Sequence, residues 1–150
     1  MTYCTQTDIA EVLPAPSLAA LTDDTAGAVV DPVVLAAAIA RADAIIDATL
    51  GARYAVPLVL PPAPVVVGIS VDLTVWELFS RRAAIAEPPK AIAQRQLDAL
   101  ARLANLASGV MPLAGATPAL ATGSGGSAAV SSATRVFDPV TMDNFIHNLY

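Results

Sequence analysis

The stretch from Asp31 to Gly51 constrains this chain more than any other. It opens with Asp31-Pro32, an N-cap residue followed by the residue type best suited to the first helical position. The 18 residues that follow contain neither glycine nor proline, and seven of them are alanine. Leu35, Ala38, Ile39, Ala42, Ile46 and Leu50 recur at helical spacing, and Gly51 suits a helix end. The reading is a helix over 32–50. Alanine is the strongest helix former and makes up 32 of the 150 residues, so helices packed at close range are the default expectation. Aromatic residues are only 5% of the chain, which argues against a β-sandwich.

Two further segments carry the same period. Residues 64–84 place Val67, Val71, Val75, Leu78 and Phe79 inward with Trp76 near them, and Arg81-Arg82 suits the negative end of that helix. Residues 89–108 present Ile92, Leu97, Leu100, Leu103 and Leu106 as one apolar side, with Gly109 as the stop. Thr5, Thr7 and Asp8 are N-cap candidates for a short helix through Leu13, stopped by Pro14, and Pro16-Ser17 opens a short turn through Leu21. Residues 52–64 read as a proline-punctuated connector, extended at Arg53–Leu58. The predicted fold is all-α: a small bundle of three principal helices, with short N-terminal helices and an extended C-terminal tail. The expected core is Leu35, Ile39, Ile46, Leu50, Leu73, Trp76, Phe79, Ile92, Leu97, Leu100 and Leu103.

The chain divides by composition into a helical domain over 1–112, a linker over 113–134 and a terminal segment over 135–150. The linker has no charge and contains Gly123-Ser124-Gly125-Gly126-Ser127, flexible by composition, although a β-hairpin within 113–136 stays open. Asp138-Pro139 then repeats the pairing of Asp31-Pro32. Phe137, Met142, Phe145, Ile146, Leu149 and Tyr150 follow as a dense apolar group, which either folds back on its own domain or docks on a partner or a neighbouring subunit.

Charge narrows the function classes. The net charge is -5, whereas a nucleic-acid binder usually carries an excess of Lys and Arg. Thr5–Leu13 is similar to the first helix of a helix-turn-helix motif, but residues 1–30 hold Asp8, Glu11, Asp23 and Asp24 and no base. Arg81, Arg82, Lys90, Arg95 and Arg102 make the third-helix region the one basic part, read as a charged face at a subunit contact. The opening residues lack the pattern of a signal peptide, and the uncharged run 54–71 holds four prolines, so no membrane span is expected.

Catalysis has little to stand on. His147 is the one histidine and Cys4 the one cysteine, so Cys4 with His147 is the one thiol–imidazole pair available; the plain reading of Cys4 is a small buried side chain. No lysine follows the glycines of 123–126, as a phosphate loop requires. Asp43 and Asp47 lie one helical turn apart. They offer two ligands for a cation, but the plain reading is a polar face paired with Arg53. No enzyme activity, metal or cofactor is expected.

The ordered set of features resembles the Mu-like phage head–tail connector (adaptor, or head completion) proteins. The opening Met-Thr-Tyr-Cys-Thr-Gln-Thr-Asp-Ile, the LTDD that follows and the segment DPVVLAAAIARADAIIDATLGARYAVPL carry the resemblance. In that segment the marks are Ala42-Asp43, Ile46-Asp47, Leu50, Arg53-Tyr54 and Pro57-Leu58. Val71-Asp72-Leu73 with Leu78 and Arg81-Arg82, and the ending from Arg135-Val136-Phe137, also look like that family. The final segment runs longer and more apolar than the family pattern. The resemblance implies a structural protein of the virion neck, present in the host cytoplasm during assembly. Such proteins form a ring, usually dodecameric, between the portal protein and a tail-side neck or tail-terminator protein. They extend a channel through which double-stranded DNA passes without sequence-specific binding, contact no membrane and have no cofactor. Asp43, Asp47, Arg81 and Arg82 are then candidate subunit-contact or channel charges, with Asp23 and Asp24 as further acids for a negative channel wall. The alternative is a small helical DNA-binding or regulatory protein.

Overall fold

The computed structural model describes residues 2–25, 27–82 and 88–119. Among these residues the structure is five helices and no strand: α1 (Gln6–Val12), α2 (Ala15–Thr22), α3 (Pro32–Leu50), α4 (Pro64–Arg81) and α5 (Lys90–Ser108). The fold is a small all-α bundle of three principal helices with two short ones ahead of them.

Local sequence accounts for most of the boundaries. Thr5 caps α1 in a reciprocal box with Asp8, each satisfying the other's backbone N–H. Asp31 caps α3 by accepting from the N–H groups of Val33 and Val34, and Pro32 sits at its first turn. Gly109 ends α5 in the left-handed region at φ +81°, where a side chain would be strained. The second long helix stops at Arg81 rather than Ala84. The Arg82 N–H turns back to Phe79 and Ser80, and its side chain reaches across to the loop after α2.

Helix α4 is the centre of the bundle. It packs against α3 and α5, which also touch each other, while α1 lies on α4 and α2 on both α3 and α4. Two apolar clusters meet along it. Val66, Ile69 and Leu73 join Ala42, Ile46 and Leu50 of α3 and Ala99, Leu103 and Leu106 of α5. Val71, Val75 and Leu78 join Leu35, Ala38 and Ile39 of α3 and the apolar side chains of α1 and α2. Because α4 is covered on nearly every side, the one-faced reading of it missed Val66 and Ile69. Trp76, Phe79, Val67 and Ile92 are half-buried rather than buried.

The larger correction concerns α5. Leu97 is 57% exposed and Leu100 36%, although both belong to the expected core. The face that α5 presents to α4 runs through Ile92, Ala99, Leu103 and Leu106; Leu100 lies about a quarter-turn round the helix from it, and Leu97 close to the opposite side. Ala99 is fully buried, because its small side chain lets α5 approach α4 closely.

Residues 113–119 are also held more firmly than their composition implies. Leu113 enters the core, its N–H donates to the Tyr54 hydroxyl at 3.2 Å, and Tyr54 and Pro118 form an antiparallel bridge. Backbone bonds from Ala55 to Thr117 (2.8 Å) and from Ala119 to Arg53 (2.9 Å) complete it. The single bulky apolar residue at the start of the expected linker supplies the anchor.

Candidate functional site

The acids of α3 do not form an open polar face. Asp43 is buried, accepting from the Tyr3 backbone N–H at 3.1 Å and from the Ser70 hydroxyl at 2.9 Å. Asp47, one turn further on, accepts from the Tyr3 hydroxyl, which in turn accepts from the Leu58 N–H at 2.9 Å. Burial, reinforced by the bond to Asp47, pushes the Tyr3 hydroxyl up to about 12, so it remains a donor. Burial also raises the Asp43 carboxyl above the ordinary carboxylate range, against the bonds from Ser70 and Tyr3. The expected partner Arg53 takes no part, and Asp43 faces the interior, where it cannot line a channel or meet another subunit. Asp43 lies beside the buried positions Ala42 and Ile46 on the helix, which is why its spacing from Asp47 misleads.

Arg53 instead sits at the end of α5. Its Nη1 lies 3.5 Å from the Ser108 carbonyl, where the helix dipole favours a cation, and its guanidinium lies 5.9 Å from the centre of the Tyr54 ring. The segment Arg53-Tyr54-x-x-Pro57-Leu58 thus ties α5, the residues after it and Tyr3 together.

Arg81, Arg82 and Arg95 are engaged as well. Arg81 forms a two-pronged ion pair with Asp24, at 2.7 and 2.5 Å, and Arg82 reaches Asp24 at 2.8 Å and the Asp23 carbonyl. These two candidate charges bind the acidic loop after α2 to the end of α4. Arg95 grips the buried Asp72 at 2.8 and 2.6 Å, joining α5 to α4. Nothing in the spacing of Asp72 and Arg95, 23 residues apart, announces that pair.

Cys4 is buried with its Sγ 3.8 Å from the Thr74 hydroxyl, and burial pushes its thiol up, so it lacks the character of a nucleophile. His147 and the apolar side chains Phe137, Met142, Phe145, Ile146, Leu149 and Tyr150 lie outside the described residues, as do Gly123–Ser127. Among the described residues no group of three or more His, Cys, Asp or Glu is placed to hold a metal ion. A recess of about 250 Å³ between residues 58–63 and 113–116 is lined by Leu, Val, Pro, Ala and Gly, with no titratable side chain. In the place where a DNA-reading helix would follow α1, α2 carries no charged residue and buries Leu18 and Leu21.

What remains available is apolar surface. The outward side of α3 exposes Val33, Ala37, Ala40, Ala44 and Ala48, with Arg41 its one charge. A helix apolar on all sides is normally covered on all sides. On α5, Leu97 and Leu100 with Ala101 and Ala104 make a second exposed apolar flank. No helix among the described residues is long and apolar enough to cross a membrane.

The family model described as Bacteriophage Mu, Gp36 matches residues 3–132 of the chain. No curated protein matches it. The matched span takes in all five helices, the Tyr3 anchor and the Arg53–Leu58 segment.

Proposed function

The chain belongs to the bacteriophage Mu Gp36 family and is thus a phage protein, and on that premise we propose that it is a structural protein of the virion neck. In this reading it forms a ring between portal and tail, extends the DNA channel and completes the head. The observation that carries the reading, beyond the family, is how the chain distributes its chemistry. Asp24, Asp43, Asp47, Asp72, Arg53, Arg81, Arg82 and Arg95 tie the helices and loops of the bundle to one another, while the outward side of α3 and the Leu97–Leu100 flank of α5 are left apolar. That distribution suits a subunit that is completed by its neighbours rather than one that binds a small substrate. The net charge of -5 suits a channel through which DNA slides without being held by ion pairs. No catalytic role and no cofactor is part of the proposal.

The test is the mass of the full-length chain alone and after mixing with the portal protein of the same phage. A multimer of many copies on portal is the expected result. A monomer or dimer that ignores portal and binds duplex DNA in a salt-sensitive way would replace this reading with that of a helical regulator.

A further inference from the structure

We infer that the apolar end of the bundle in one copy, tipped by Val110 and Met111, seats in the open recess between α1, α2 and the loop before α3 of the next copy. The inference rests on the ring reading and names the contact that would build the ring.

Three features point to a second copy as the occupant. First, a projection and a recess, both apolar, lie by opposite ends of α3, which has 19 residues and spans about 28 Å. Beyond its C-terminus Val56, Val59 and Leu60 of the connector, with Val110 and Met111 after α5, are uncovered, Val59 at 70% and Val110 at 78%. Arg53 holds the two segments side by side, its guanidinium against Gly109 and its carbonyl accepting from the Ala119 N–H. By the N-terminus of α3 the recess has a volume of about 680 Å³ and is lined by Ala15, Pro16, Ala19, Val29 and Val30, with Gln6 its one polar side chain. Val29 is 73% exposed, so the recess is uncovered within its own chain. Second, the two surfaces carry opposite charge. Segments 48–71 and 103–119, which build the apolar end, hold Arg53 as their one charge. Arg53 meets the Ser108 carbonyl and the Tyr54 ring but no carboxylate among the described residues, and Asp43 and Asp47 nearby are turned to Tyr3. The elements round the recess carry Asp8, Glu11, Asp23, Asp24 and Asp31 and no base. Arg81 and Arg82 reach in from α4 to Asp24, while Asp23 lies at the recess itself, accepting from the Ala28 N–H at 3.1 Å. An arriving cation is therefore favoured there. Third, self-pairing is disfavoured. A two-fold contact between apolar ends sets Arg53 against Arg53, and one between recesses sets acid against acid. A contact between two different surfaces repeats head to tail, as a closed ring requires.

The test uses full-length chains with Val110→Glu or Val110→Lys, scored by ring assembly on portal. Val110 is on the surface, so both variants should melt close to the parent. Val110→Glu brings an acid to the acidic recess and should lower assembly about tenfold or more, whereas Val110→Lys brings a cation and should assemble close to the parent. Should either variant unfold the chain, a copy with Val29→Cys mixed with a copy with Val110→Cys reads the same contact. A short bismaleimide should link the two copies in the assembled mixture and link neither variant to itself, the native Cys4 being buried. Equal assembly by Val110→Glu and Val110→Lys, a link from either cysteine to portal in place of the one between copies, or no link in an assembled ring would overturn this contact and leave the ring reading standing. If the parent chain forms no ring at all, both fall together.

Discussion

Asp43 shows how a single side chain can be legible in kind and illegible in role. The Asp43–Asp47 spacing identifies two acids on neighbouring turns of one helix, but only the arrival of Tyr3, 40 residues upstream, and Ser70, 27 residues downstream, turns Asp43 into a buried acceptor. Its carboxyl is raised by burial above the ordinary value of about 3.9. The folded state therefore holds the proton more tightly than the unfolded state. This favours folding fully below the unfolded value, and the benefit is lost as pH rises through the folded one. The stability of the parent relative to Asp43→Asn should thus fall as pH is raised from about 4, then level off. Urea unfolding of both proteins across that range reads the difference, and a gap independent of pH would contradict it.

At the scale of elements, helix ends were readable because they depend on neighbours in sequence. Asp31-Pro32 and Gly109 act at the ends where the sequence puts them. Gly109→Ala forces a left-handed residue and pushes a Cβ into the Arg53 guanidinium, so it should cost about 1–2 kcal/mol in chemical unfolding. Gly68, by contrast, lies exposed within α4 with nothing near its missing Cβ, and Gly68→Ala should stabilise by about 0.5–1 kcal/mol. Helix faces were readable only where one side is polar. The α3 phase held: Ala42 is fully buried, and Ala42→Leu should overpack the contact with α4 and lower stability by about 1–3 kcal/mol. On α5 the leucines cover more than one side of the helix, and periodicity cannot say which of them another helix will cover.

For the whole molecule, the prediction concerns the C-terminal segment. Residues 113–119 belong with the helical domain, so the linker expected from composition shortens to the 15 residues 120–134, which fully extended could span at most about 50 Å. Deleting 136–150 should leave far-UV helix content and melting temperature unchanged while abolishing stable attachment to portal, where each copy's segment would add to the avidity of the others. Truncated chains that still join portal-containing heads as tightly as full length would place the grip elsewhere.

The sequence by itself determined the helices, their ends and the all-α class. Alanine content, proline positions and the 3.6-residue period act between residues close in the chain, and the family's ordered motifs are written there as well. The tertiary structure alone decided which residues those motifs serve. Asp43 meets Tyr3 and Ser70, Asp72 meets Arg95, Asp24 meets Arg81 and Arg82, and Leu113 meets Tyr54, across separations of 23 to 59 residues. It also left Leu97 and Leu100 outside, because α4 has one side for α5, and Ala99, Leu103 and Leu106 fill it.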